Sequence, residues 1–290
     1  FFLPYVRLLA SLENAESPLF DYWLDRAIEA IPHSAKIANI YCYHLLKMRR
    51  IPELANADWI DTLQSEHGRA DMIGRNEADP KLIVEAQLFR SIGLVAATDS
   101  NEELEKAVSV LKASDSSWHL CVPAKLLVAS AANLGLPDAV CSAYSRICPE
   151  CQDKRIGLEG SESTYLARAH RIAGDFNDSL EHAQEALQQN AEDQSALWDS
   201  WWSLDELNRL DESVKAARQL YNLNSSLPDL AYNLGFLCGK QGSLGLARHY
   251  YEQALKNKEN NWRARENLAL ALLLDSETEA AEKHWNRYLD

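Results

Sequence analysis

Apolar positions in the C-terminal half of this chain recur at spacings of 3 and 4, grouped into blocks that repeat every 34 residues. With Gly160, Gln194, Pro228 and Trp262 as starts, four blocks follow one another without insertion or deletion, the last cut short at Asp290. Positions 7 and 8 read Leu166-Ala167, Ser200-Trp201, Leu234-Gly235 and Leu268-Ala269, and position 11 reads His170, Leu204, Cys238 and Leu272. In the second half of each block, position 20 is Ser179, Ser213, Ala247 and Ala281, and position 24 is Ala183, Ala217, Tyr251 and Trp285. Such spacings lay a stripe along one side of a helix, so each block predicts two amphipathic helices facing each other. Small residues at positions 8 and 20 let the backbones approach, and larger ones at 24 fill the gap beside them. Position 15, between the helices, is Gly174, Asn208, Gly242 and Ser276. The first three are residue types that tolerate the left-handed conformation ending many helices.

Upstream the period loosens. A block from Cys121 carries Leu127, Val128 and Ala131, a turn at Gly135, then Val140, Tyr144 and Ile147. A looser one near Glu85 has Ile92, Val95, Leu104, Val108 and Leu111, with Asp99 at its turn. Before that only helix pairs survive: Ala35 to Arg49 with Pro52 to Glu66, and an N-terminal pair ending near Ile31. The polar stretch Gly68 to Asp79 is the longest break and predicts a boundary or a mobile loop. The expected organisation is divergent helix hairpins over 1–79, irregular hairpins over 80–159 and regular 34-residue repeats over 160–290, about eight hairpins in all.

The segment Ala231-Tyr232-Asn233-Leu234-Gly235 followed by Ala247 to Leu255 most closely resembles the tetratricopeptide repeat (TPR). There are two departures. The family's proline at position 32 is replaced by Ala191, Ser225 and Glu259, and Trp201 stands where a small residue is usual. The resemblance implies an all-α, right-handed superhelical solenoid of antiparallel hairpins, with first helices lining a concave groove. Positions 2, 5, 6, 9, 12 and 13 line it in that family. Here they include Arg168, Arg171, Trp198, Asp199, Trp202, Asp205, Tyr232, Asn233, Phe236, Arg263 and Asn267. Trp198, Trp202, Tyr232 and Phe236 are expected to form one aromatic floor, the kind of rigid anchor surface that carries binding energy at interfaces. Asn233 and Asn267, with Asp199 before them, form a row that could hold an extended peptide backbone through amide bonds, while Arg168 and Arg263 add positive charge. Relatives that hold chaperone C-termini use a Lys, Asn and Arg clamp. The corresponding places here hold Thr164, Arg168, Asp199 and Glu266, so a carboxylate-terminated partner is not indicated.

Composition supports an all-helical chain: only 11 Gly and 9 Pro in 290 residues leave few turn residues for a many-stranded fold. Acidic residues outnumber basic ones 43 to 29, and a net charge of −14 argues against a nucleic-acid or anionic-membrane binder. The longest apolar run, Leu268 to Leu274, is far too short to span a bilayer. Gly235 to Lys240 imitates a phosphate loop but is one residue short, lacks the Ser/Thr after the Lys and falls in a predicted helix. Cys148-Pro-Glu-Cys151 lacks two further zinc ligands at chelating spacing, His119 and Cys121 being the nearest suggestion. The scattered cysteines read as thiols and favour a reducing compartment. His182, His249 and His284, on second helices, read as solvated or packed residues rather than ligands or bases. No catalytic residue, cofactor or metal is therefore expected.

The expected function is a non-catalytic scaffold that binds a protein or peptide in the groove, with self-association through the last repeat as a further expectation. The alternative rests on two features: the apolar start Phe1 to Leu12, with no initiating Met, and the joint Ala30 to Lys36. They resemble repeat tails following the last membrane helix in some glycosyltransferases and oligosaccharide ligases. That reading implies a piece of a larger membrane enzyme and a periplasmic or lumenal location, where the first implies the cytoplasm.

Overall fold

The computed structural model describes residues 18–30, 34–64, 80–114, 120–147, 160–227 and 229–289. Among them every regular element is helical, as the repeat pattern requires. Contacts cluster into two units, Phe1–Glu159 and Gly160–Asp290. Gly68 to Asp79, Cys148 with Cys151, His119 and Phe1 to Leu12 lie outside the described residues.

The first unit contains α1 (Pro18–Ala30), α2 (Ala35–Lys47), two 3₁₀ helices (Ile51–Asn56 and Asp58–Gln64), α3 (Pro80–Thr98), α4 (Asn101–Ala113), α5 (Cys121–Asn133) and α6 (Pro137–Tyr144). The stretch expected as a single helix from Pro52 to Glu66 is instead the 3₁₀ pair. Pro52 sits at the start of the first, and Ala57 separates them at φ −86°, ψ 54°. This compact strap packs on α3, where Gly93 makes the close approach possible. A Cβ there would stand 2.5 Å from Leu54 Cβ and 2.6 Å from the Ala55 nitrogen.

Where α3 meets α2, Tyr43 Oη donates a 2.7 Å hydrogen bond to Glu85 Oε1, and Glu85 is almost fully buried. Burial pushes the Glu85 carboxyl up to about 7 from an ordinary 4.5, against the lowering effect of the Tyr43 bond. The sign of the pH effect follows. Below pH 4.5 the carboxyl is protonated folded and unfolded, and its contribution is fully present. As pH climbs from 4.5 to about 7 the unfolded chain releases the proton first, so stability falls, and above 7 the loss is complete. Thermal unfolding between pH 5 and 8 should therefore show wild-type stability declining by up to ~3 kcal/mol more than that of Glu85→Gln, which keeps the acceptor and removes the ionisation. Parallel pH curves for the two proteins would exclude this assignment.

The second unit is four antiparallel hairpins: α7 (Glu162–Ala173) with α8 (Phe176–Gln189), α9 (Gln194–Glu206) with α10 (Leu210–Leu223), α11 (Leu230–Lys240) with α12 (Leu244–Asn257), and α13 (Trp262–Leu274) with α14 (Thr278–Leu289). Each helix packs on its hairpin partner and successive hairpins pack on one another, so the unit is a TPR-like helical stack. The turns are built alike. Gly174, Asn208, Gly242 and Ser276 all take positive φ, at 90°, 58°, 79° and 63°. In each turn the N–H of the residue after the positive-φ position closes onto a carbonyl five residues back. These bonds are Asp175 to His170, Arg209 to Leu204, Ser243 to Cys238 and Glu277 to Leu272, at 2.8–2.9 Å. First helices begin on side-chain caps at Ser161, Asp193 and Asn261. One continuous core, from Leu197 and Trp201 through Leu234 and Tyr251 to Leu268 and Leu272, runs through the last three hairpins.

Candidate functional site

The first helices α7, α9 and α11 are joined from block to block by polar contacts. Thr164 Oγ1 donates to Asp193 Oδ2 at 2.7 Å, and Arg168 Nη2 reaches Ser195 Oγ at 3.4 Å. Arg171 Nε meets Asp199 Oδ1 at 2.6 Å, and Lys240 Nζ meets Asp205 Oδ1 at 2.5 Å. These pairs tie α7 to α9 and α9 to α11.

The aromatic residues divide into two groups rather than forming the single floor expected. Trp202 and Phe236, both at position 9 of their blocks, are 40% and 45% exposed, and Leu270 at the same position is 45% exposed. Trp198 and Tyr232, at position 5, are half-buried against the core. Ring contacts stay within α9 (Trp198 on Trp201, Trp201 on Trp202) or reach back to α12 (Tyr232 to Tyr251). Among the described residues no α9 ring meets an α11 ring. Position 9 is thus the exposed apolar row, and position 5 packs against the core.

Each aromatic of that row carries a cation. Arg171 Cζ lies 5.8 Å from the centroid of Trp202, and Lys240 Nζ lies 5.7 Å from that of Phe236. Both cations are held by the carboxylates of Asp199 and Asp205. Lys240 was within reach of sequence reasoning, because it stands at position 13 of its block, one of the groove-lining positions.

Asp199 departs from its expected place in a polar row. It is 1% exposed, with one oxygen on Arg171 and the other buried without a hydrogen-bond partner. Burial raises its pKa while Arg171 and Arg168 lower it, the burial being larger. Asp199 therefore positions Arg171 rather than meeting solvent. Asn233 and Asn267 are half-buried. Asn267 is hydrogen-bonded to the Tyr251 hydroxyl, whose pKa burial pushes up to about 12. Arg263 is exposed at the far end, its guanidinium 5.2 Å from the Trp262 ring centroid.

Other sequence expectations find their places. The phosphate-loop imitation lies wholly inside α11. Cys42, Cys121, Cys141 and Cys238 are thiols, all but Cys141 buried. Of the Ala30 to Lys36 joint, residues 31–33 lie outside the described residues, while Ser34 caps α2 by accepting from the Ile37 N–H. On the last hairpin Leu273, Leu274 and Trp285 remain exposed. No described helix is long and apolar enough to cross a membrane.

No family model matches the chain, and no curated protein matches it. Among solved structures, a crystal structure of MamA is similar over 53% of this chain and 88% of MamA, at 19% identity and a TM-score of 0.45. MamA from AMB-1 is similar over 58% and 96%, at 14% identity and a TM-score of 0.48. A MamA RS-1 double mutant is similar over 71% and 93%, at 10% identity and a TM-score of 0.46.

Proposed function

We propose that this chain is a non-catalytic protein-interaction scaffold that takes a peptide or helical partner across the first-helix face of residues 160–290. One observation carries the reading: Trp202, Phe236 and Leu270, from three successive blocks, present exposed apolar side chains at the same position of each repeat. Exposed aromatics in register have no role in a monomer's core, and they are the residue types that dominate interface energetics. Arg171 and Lys240, braced by carboxylates, hold cations over the two rings, which favours a partner able to cover the free part of each ring while meeting the positive charge beside it. Arg168, Trp198, Asp199, Tyr232, Asn233, Arg263 and Asn267 complete the proposed site. Trp198, Tyr232 and Asp199 act by holding the outer row, the others by hydrogen bonding and charge.

The test is capture of partners from the source cell by full-length protein, with Trp202→Ala and Phe236→Ala as controls. Each substitution truncates a half-exposed ring outside the core, so helicity and melting temperature should stay near wild type. The affinity of the captured partner should fall at least ~30-fold, the effect of losing a hot-spot aromatic. Unchanged binding by both variants would refute the site.

A further inference from the structure

The first hairpin of the second unit differs from the other three at one corner. Position 11, on the last turn of the first helix, is Leu204, Cys238 and Leu272 in the later blocks, all buried core residues. In the first block it is His170. The turn that follows supplies Asp175 and the first turn of α8 supplies Asp178, where the second block has Arg209 and Glu212 paired with each other at 2.7 Å.

The imidazole of His170, partly buried, and the exposed carboxylates of Asp175 and Asp178 bring one ligand atom each to within 4.8 Å of one another. Nδ1 is buried and has no hydrogen-bond partner. It stands 3.6 Å from Asp175 Oδ2, too long for a hydrogen bond. Two ligands bound at 2.0–2.1 Å around a tetrahedral ion lie about 3.4 Å apart, so the His170–Asp175 spacing suits a shared cation. Asp175 stands at the N-cap of α8 but makes no side-chain capping bond. Its carboxylate is turned to the imidazole instead of to the helix. His182 stacks on the His170 ring at 5.4 Å between centroids and 17° between planes, which fixes that ring's orientation. His182 Nδ1 is itself engaged by Glu185, 3.0 Å away.

We propose that His170, Asp175 and Asp178 form a binding site for a divalent transition-metal ion of the zinc class. Two carboxylates balance the dipositive charge, and the neutral imidazole selects against magnesium and calcium, which favour all-oxygen shells. The site joins the end of α7 to the start of α8, so occupancy clamps the first hairpin of the repeat unit. It is separate from the exposed row of Trp202 and Phe236 and does not depend on that row binding a partner.

The test is calorimetric titration of the full chain with Zn²⁺, in a Cys148→Ser/Cys151→Ser background that removes thiol ligands, with Co²⁺ absorption as the geometric readout. One ion per chain is expected, with a rise in melting temperature on saturation. His170→Leu reproduces the residue of the second and fourth blocks and should fold as well as the parent; Asp175→Asn/Asp178→Asn keeps side-chain shape. Both should bind at least tenfold more weakly and lose the metal-dependent thermal shift. Absence of saturable binding, or unchanged affinity in either variant, overturns the assignment.

Discussion

Trp201→Ala should destabilise the repeat unit by about 3–5 kcal/mol, the usual cost of truncating a buried Trp or Phe. The expectation runs against the repeat pattern, in which position 8 is ordinarily small and alanine would look like a return to type. Trp201 is only 4% exposed and belongs to the core shared by the last three hairpins. Both its ring neighbours, Trp198 and Trp202, pack edge-on against it at 4.8 and 5.8 Å. Truncation would open a cavity under the proposed anchor Trp202 as well as weaken the fold. The indole also carries a cost, since its Nε1–H is buried with no acceptor. Trp201→Phe keeps most of the apolar area and removes that donor, so it should lie far closer to wild type than the alanine variant. Urea unfolding followed by far-ultraviolet circular dichroism separates these outcomes; an alanine variant as stable as wild type would show that the space closes without the indole.

The helical class and the four hairpins of residues 160–290 were legible because the signal is local: stripes at 3 and 4, small residues where backbones meet, turn residues at position 15. Even Ser276, an unusual left-handed residue, takes positive φ because its place in the repeat demands it. Pairings between blocks were not legible. Asp199 reads as a solvent-facing member of a polar row, yet Arg171 from the preceding block draws it into a buried ion pair. Trp198 and Tyr232 read as floor and are half-buried against the core, since period alone does not say how far a stripe rotates toward the neighbouring hairpin. The 3₁₀ strap of residues 51–64 was missed for a related reason. Its apolar positions, Leu54, Ile60 and Leu63, are buried as a helix would bury them, but contact with Gly93 favours a tighter, broken path.

The largest coupled effect is expected at positions 8 and 24, where large and small residues trade places between blocks. The second block has Trp201 with Ala217, and the third has Gly235 with Tyr251. At Gly235 a Cβ would come within 2.6 Å of two Tyr251 ring carbons and 3.2 Å of the Ala247 carbonyl oxygen. Tyr251 is itself 4% exposed, so its ring has little room to retreat. Gly235→Trp alone should therefore force α11 and α12 apart, costing more than the ~1–3 kcal/mol of ordinary overpacking. Tyr251→Ala alone should cost about 3–5 kcal/mol through the cavity it leaves. Together the two substitutions rebuild the arrangement of the second block inside the third. The double variant should then be more stable than either single one, with a coupling energy at or beyond the upper end of the ~0.5–3 kcal/mol range for residues in contact. A double-mutant cycle measured by urea unfolding gives this number directly. Simple additivity would mean that the two positions do not share one space, and that the alternation of large and small residues along the repeats has another cause.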